Sequence, residues 1–127
     1  MISTFNDLIN ILQNQTNPQR LLLLFANAES TDSHNNQNGF ITPVMCVDKS
    51  LSDITSFHHL IKEADEINKQ WNFMFVASLS GEKDKEPTTT EAEPFLNKMA
   101  HDIETGNSIN RYVIFDREEN PIEIEAN

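Results

Sequence analysis

The sequence contains one cysteine, Cys46, among 127 residues. A single thiol cannot form an internal disulfide, and without a CxxC pair the usual redox-exchange, zinc and iron–sulfur sites are excluded. Glycine is also scarce, and the stretch 80–83 (Ser-Gly-Glu-Lys) lacks the spacing and the following helix of a phosphate loop. We therefore exclude disulfide exchange and phosphate-loop nucleotide binding, and expect a reducing compartment.

Long hydrophobic runs are missing too. The longest apolar run, residues 21–26, suits one buried strand and falls short of the roughly 18–20 residues that span a bilayer. The N-terminus shows no basic segment followed by an apolar one, so no secretory signal is expected. We expect a cytoplasmic protein without membrane contact, and a single domain over residues 1–127 because this length suits one core.

Basic residues are few: nine lysines and arginines accompany twenty acidic residues, which gives a net charge of -11 and a pI near 4.6. Nucleic-acid binding needs a basic face, and scattered bases do not supply one, so we exclude it. Residues 64–127 carry more of the negative charge than residues 1–63. The acidity promotes solubility, and it also suits a basic protein partner.

The hydrophobic pattern predicts three helices and five strands. Helices are predicted over 5–14, over 51–69 and from Thr90 to Gly106, with Thr4 and Ser50 as N-caps. Their inward-facing residues include His58, Ile67 and Phe95. Strands are predicted at 20–28, 40–47, 72–79, 111–115 and 121–125. The Asn-rich stretch 29–39 is predicted to be a loop.

The fold expected from this order is one α/β domain. Helices join the second, third and fourth strands, and right-handed crossovers of this kind connect parallel strands. We expect a mixed, largely parallel five-stranded sheet flanked by three helices, ending in a β-hairpin. The alternative is a thioredoxin-like fold without CxxC, because the last helix and hairpin resemble the end of that fold.

The best candidate site lies at the strand ends, because open parallel sheets bind ligands beyond the carboxyl ends of their strands. Candidate ligand-binding residues there are Glu29, Ser50, Ser78, Ser80 and Gly81. Asp48 and Lys49 are candidate catalytic residues, as an acid/base group and an anion-binding group. The alternative is that these are ordinary polar loop residues and that Ser50 only caps a helix.

Cys46 is a third catalytic candidate, since a thiolate near a base or a helix N-terminus is a nucleophile. Its apolar neighbours in the stretch 44–47 favour the alternative, a small side chain packed in the core. His58 and His59 are adjacent on a predicted helix, so they diverge by about 100° and cannot easily share a metal. We expect neither a metal site nor a cofactor.

Four segments resemble a family of small bacterial proteins commonly labelled "ribonucleotide reductase subunit alpha". They are Pro-Gln-Arg-Leu-Leu at 18–22, Pro-Val-Met-Cys-Val-Asp-Lys at 43–49, Phe-Val-Ala-Ser-Leu-Ser-Gly at 75–81 and Phe-Asp-Arg at 115–117. The label does not fit, because radical reduction needs a thiyl-forming cysteine plus a redox pair. The resemblance therefore implies kinship without an activity.

Two functional hypotheses follow. The first is a non-catalytic binding or accessory protein of the bacterial cytoplasm, with an acidic surface that contacts a protein partner, including an immunity-type protein that neutralises a basic partner. The second is a small enzyme or small-ligand binder that uses the polar residues at the strand ends.

Overall fold

A computed structural model describes residues 2–29, 40–106 and 111–122. Its helices are α1 (Phe5–Gln13), α2 (Phe57–Ile67) and α3 (Thr89–Thr105), and a short 3-10 turn covers Leu51–Asp53. Its strands are β1 (Gln19–Glu29), β2 (Phe40–Ser50), β3 (Phe73–Ser80) and β4 (Val113–Asp116). The predicted loop at 30–39 lies outside the described residues.

The sheet is antiparallel, with strand order β2-β1-β3-β4. β1 pairs antiparallel with β2 on one side and with β3 on the other, and β3 pairs antiparallel with β4. The predicted largely parallel five-stranded sheet is therefore wrong. The thioredoxin-like alternative is wrong as well, because it requires parallel neighbours.

The helical connections explain the error. Thr89, at the start of α3, bonds to Asp48 on one edge strand, and Asp102, near its end, bonds to Tyr112 just before the other edge strand. α3 thus crosses the sheet from edge to edge and does not return the chain along a strand, as a crossover between parallel neighbours does. By contrast, α2 joins two strands that share a direction, β2 and β3, but β1 lies between them, so they are not neighbours.

Each face of the sheet carries its own core. Under α1 and α2, the alternate β1 residues Leu21, Leu23 and Phe25 pack with β3 and with an aromatic cluster. In that cluster, the Phe5 ring lies 5.6 Å from Phe57 and 6.0 Å from Phe115, centroid to centroid. On the opposite face, the intervening β1 residues pack against the buried apolar side chains of α3. Both faces of β1 are buried, which confirms the prediction from its apolar run.

The helix starts follow their caps. Thr4 forms the predicted capping box with Asp7, and Thr88 forms a second one with Glu91 at the start of α3. The predicted cap at Ser50 is wrong: its side chain makes no cap hydrogen bond, and the helix begins later, where Ser56 Oγ accepts from the His59 amide.

Three predicted inward-facing residues point to solvent. His58 is exposed, Ile67 is 72% exposed at the end of α2, and Phe95 on α3 is 49% exposed. The buried faces of these helices are narrower than the sequence pattern indicates, since α2 buries three of its eleven side chains and α3 four of its seventeen.

The chain after β4 makes a tight turn. Asp116 Oδ1 accepts from the Glu118 and Asn120 amides, and the Asp116 amide donates to the Asn120 carbonyl. Pro121 then bridges to Phe115. The turn of the predicted hairpin is present, whereas residues 123–125 of its second strand lie outside the described part of the chain.

Arg117 fastens this turn to α2. Its guanidinium donates two hydrogen bonds to the Asp65 carboxylate, at 3.1 and 2.9 Å, and others to the Trp71 and Lys69 carbonyls. It also lies 4.0 Å from the Trp71 ring centroid. These hydrogen bonds hold the pKa of Asp65 below its ordinary value.

No helix within residues 2–29, 40–106 and 111–122 is both long and apolar enough to cross a membrane.

Candidate functional site

The ends of β2 and β3 meet at one rim of the sheet, beside the start of β1. Because both strands are antiparallel to β1, they run in the same direction, with Ser50 opposite Arg20 and Ser80 opposite Gln19. We call this region the strand-end rim. Of the predicted site residues it contains Asp48, Lys49, Ser50, Ser78, Ser80 and Gly81, on two strands that β1 separates. Glu29 lies at the opposite end of β1, where it pairs with Phe40.

An ion pair with a shared hydroxyl occupies the β2 side of the rim. Arg20 Nε donates to Asp48 Oδ2 at 2.7 Å, and both side chains are largely buried, with 15% and 13% of their surface exposed. Thr89 Oγ1 accepts from Arg20 Nη2 at 2.9 Å and donates to Asp48 Oδ2 at 2.9 Å. Glu86 lies 3.5 Å from the Arg20 guanidinium. Every charge in this group, which we call the Arg20 network, faces an opposite charge.

Lys49 points to the other face of the sheet, because successive strand residues alternate. Its ammonium lies 2.9 Å from Glu63 on α2, and His59 lies 3.8 Å from the same carboxylate. The hydrogen bond from Lys49 holds the pKa of Glu63 below its ordinary value. Asp48 and Lys49 are thus separated by the sheet and cannot act on one substrate group.

The remaining rim residues bond to the fold itself. Ser80 Oγ accepts from the buried Gln19 side chain at 3.0 Å, and Ser50 Oγ lies 3.0 Å from Ser52 Oγ. The Gly81 amide donates to the Pro18 carbonyl at 2.8 Å. A Cβ at Gly81 would lie 2.0 Å from the Lys85 carbonyl oxygen, so glycine is required by close packing of the backbone.

Cys46 is exposed on edge strand β2, so the prediction of a core-packed thiol is wrong. The residue is opposite Leu24 on β1, and an edge strand has no neighbour on its other side to cover it. Burial of the sulfur among its neighbours nevertheless raises the pKa of the Cys46 thiol. A raised pKa lowers the thiolate fraction, which is the reverse of what a nucleophile needs.

Ser78, one of the predicted ligand residues, lines a cleft. This cleft, of about 310 Å³, lies between α1 and the C-terminal half of β3. It is lined by Leu8, Leu12, Val76, Ala77, Ser78, Arg111, Tyr112 and Val113. The network on the β2 side of the rim does not line it, so the predicted site divides into a bonded ion cluster and a separate cleft.

A buried carboxylate, Asp102, lies near this cleft on the α3 face. It is 2% exposed and accepts from Lys98 Nζ and the Tyr112 hydroxyl, each at 2.9 Å. The hydrogen bond from Lys98 and that from Tyr112 lower the pKa of Asp102. Burial and the bond to Asp102 raise the pKa of Tyr112 to about 12. Asp102 is therefore a weaker base than an ordinary carboxylate.

Sequence reasoning missed three residues of this region, Arg20, Thr89 and Arg111. Arg20 carried a signal, since it immediately precedes the buried apolar run and a charge there requires a partner. Thr89 and Arg111 carried none, because their positions depend on how α3 and β4 cross the sheet. Within the described residues, no group of three or more His, Cys, Asp or Glu side chains could hold a metal.

No family model, no curated protein and no solved structure matches this chain. The resemblance seen in the four sequence segments stays a prediction. All four segments coincide with structural contacts: the start of β1, the end of β2, the end of β3 and the turn after β4.

Proposed function

We propose that this chain is a non-catalytic binding protein of the bacterial cytoplasm, which contacts a basic protein partner through its acidic surface. One observation carries the proposal: most of the polar side chains at the strand-end rim are bonded to partners within the fold. Asp48, Lys49 and Ser80 each have a partner within the fold, at 2.7–3.0 Å. Groups held in this way stabilise the structure, and they offer no free acid, base or nucleophile to a substrate.

The charge distribution supports an electrostatic partner. Of the nine basic residues, Arg20, Lys49, Lys98 and Arg117 are engaged in ion pairs with acidic side chains. Many acidic side chains on the helices and turns remain exposed. A surface of this kind attracts a basic partner over a distance of about one Debye length, roughly 8 Å at physiological salt. An immunity-type role is the form of this function that the net charge of -11 suits best.

The test is capture from a bacterial lysate with charge-matched variants. The acid-neutralised variant replaces four exposed acidic residues by glutamine, namely Glu66, Glu93, Glu104 and Glu118. The control variant replaces four exposed lysines by glutamine, namely Lys62, Lys69, Lys83 and Lys85. We expect the natural protein to recover the same basic protein repeatedly at low salt, with loss at high salt.

The two variants should change this capture in opposite directions. Removing acids should weaken recovery of the identified partner, whereas removing lysines should preserve or strengthen it, because only the first lowers the attraction. Equal recovery with both variants, or recovery of an acidic partner, would contradict the proposal. Turnover of a small substrate that is lost on replacing Asp48 would favour the enzyme alternative.

A further inference from the structure

The cleft beside α1 has polar side chains at one end and aliphatic side chains along its floor. Val113 opposite Val76 is the last pair between β4 and β3. Ser78 lies two residues further along β3, and Arg111 lies two residues before β4 begins. Leu8 and Leu12 project from the α1 side. Three segments of the chain thus contribute to one concave surface, which is the usual construction of a small-molecule site.

Arg111 gives the cleft a positive charge. Within the described residues, this arginine forms no ion pair, and the nearby Asp102 is engaged by Lys98 and Tyr112 instead. Arg111 is exposed, so its guanidinium donors are open to a ligand. The Ser78 hydroxyl, also exposed, supplies a second donor at the same end.

The dimensions limit what the cleft can take. A volume of about 310 Å³ corresponds to roughly ten water molecules at the volume that each occupies in the liquid. A ligand of this size has room for one charged group and a short chain or single ring. Five aliphatic side chains favour an apolar body, and one guanidinium favours one negative charge.

We propose that this cleft binds a small amphipathic monocarboxylate, with its carboxylate on Arg111 and Ser78 and its apolar body on Leu8, Leu12 and Val76. This site is independent of the acidic surface and of the Arg20 network. It assigns to Ser78 the ligand contact that its strand-end position suggests, and adds Arg111 as the residue that determines charge preference.

The experiment is an amide-resolved NMR titration of the full chain with hexanoate as the probe. Hexanol and hexylammonium serve as neutral and cationic controls of nearly the same size. We expect saturable shifts at the amides of Leu8, Leu12, Ser78 and Val113 with hexanoate. Hexanol should bind about tenfold or more weakly, because it lacks the hydrogen bonds to a charged group, and hexylammonium should not bind.

Three variants separate this site from general surface binding. Arg111→Gln should reduce hexanoate affinity about tenfold, to that of hexanol, whereas Lys62→Gln, which removes the same charge from α2, should leave it unchanged. Ser78→Leu should abolish binding by filling the cleft, and its melting temperature checks that it folds. Shifts that do not saturate, equal binding of hexanoate and hexanol, or unchanged affinity in Arg111→Gln would overturn the proposal.

Discussion

At the scale of single residues, the environment of each side chain decides its chemistry more than its type does. Cys46 lies on the open edge of the sheet, yet its pKa is raised by burial of the sulfur. Asp102 is buried, yet its pKa is lowered by the hydrogen bonds that it accepts from Lys98 and Tyr112. Exposure alone would suggest a reactive thiol, and burial alone a protonated acid, and the structure supports neither.

Cys46 should therefore be accessible but slow to react. A water-soluble disulfide reagent should label the native protein completely near neutral pH, at a lower rate than a free cysteine derivative, because the raised pKa leaves less thiolate. The rate should increase as the pH rises toward the thiol pKa. Stopped-flow labelling measures this, and a native rate above that of the free thiol would show a stabilised thiolate instead.

Tyr112 should link stability to alkaline pH. Its folded pKa of about 12 lies above the ordinary value of 10.0, so the neutral phenol is favoured in the folded protein. This contribution is fully present below pH 10 and is lost as the pH rises through the folded pKa. Replacing Tyr112 by Phe should cost roughly 1.5–3 kcal/mol at neutral pH, the value of a hydrogen bond to a charged group.

Urea unfolding of the natural protein and the Tyr112→Phe variant from neutral to alkaline pH provides the measurement. The difference in unfolding free energy should stay constant to about pH 10 and shrink above it. Tyr112 is the sole tyrosine, so tyrosinate absorbance also gives its pKa directly. A difference that is already lost well below pH 10, or grows above it, would contradict the assigned bond.

At the scale of helices and strands, the sequence predicts element type better than element arrangement. The apolar run of β1 and the capping box at Thr4 were readable, because both are local patterns. Strand direction was not readable, since α3 crosses from the β2 edge to the β4 edge through contacts far apart in sequence, such as Thr89 with Asp48. The strand-end rim was predicted for the wrong reason: β2 and β3 share a direction only because β1 lies between them.

The sequence predicted where the candidate site lies, but not whether its polar side chains are bonded within the fold or free. Asp48, Ser50, Ser78 and Ser80 do lie near one end of the sheet. Whether a polar residue is bonded or free depends on partners that strand pairing brings to it, such as Arg20 for Asp48. The sequence pattern holds no signal for that pairing.

Arg117 should make the main stabilising contacts between α2 and the turn after β4. Its two hydrogen bonds to Asp65, two to backbone carbonyls and stacking on Trp71 form a planar set that a lysine cannot reproduce. Arg117→Lys should therefore lower the free energy of unfolding by about 2 kcal/mol. The exposed Arg111→Lys control should change it by less than about 0.5 kcal/mol. Equal effects in chemical unfolding would refute the fastening role.

At the scale of the whole molecule, the net charge of -11 opposes compaction while the two cores support it. Self-repulsion among like charges destabilises the folded state, and salt screens it. The melting temperature should therefore rise from low to physiological salt.

The acid-neutralised variant tests the origin of this salt effect. With four glutamines its net charge is -7, and its melting temperature should rise less with added salt than that of the natural protein. Thermal unfolding at matched sodium chloride concentrations gives both slopes. A larger rise in the variant, or a fall with salt in the natural protein, would show that attraction among charges dominates.

The central claim is that the Arg20 network at the strand-end rim stabilises the fold, and a double-mutant cycle on Arg20 and Asp48 tests it most directly. Arg20→Ala leaves the largely buried Asp48 without a cation, and Asp48→Ala leaves Arg20 only Glu86 at 3.5 Å, so each substitution should lower the free energy of unfolding by roughly 2–3 kcal/mol. The coupling energy should exceed about 1 kcal/mol. Residues kept for function often reduce stability, so a rise in stability on replacing Asp48, or a coupling near zero, would contradict the account.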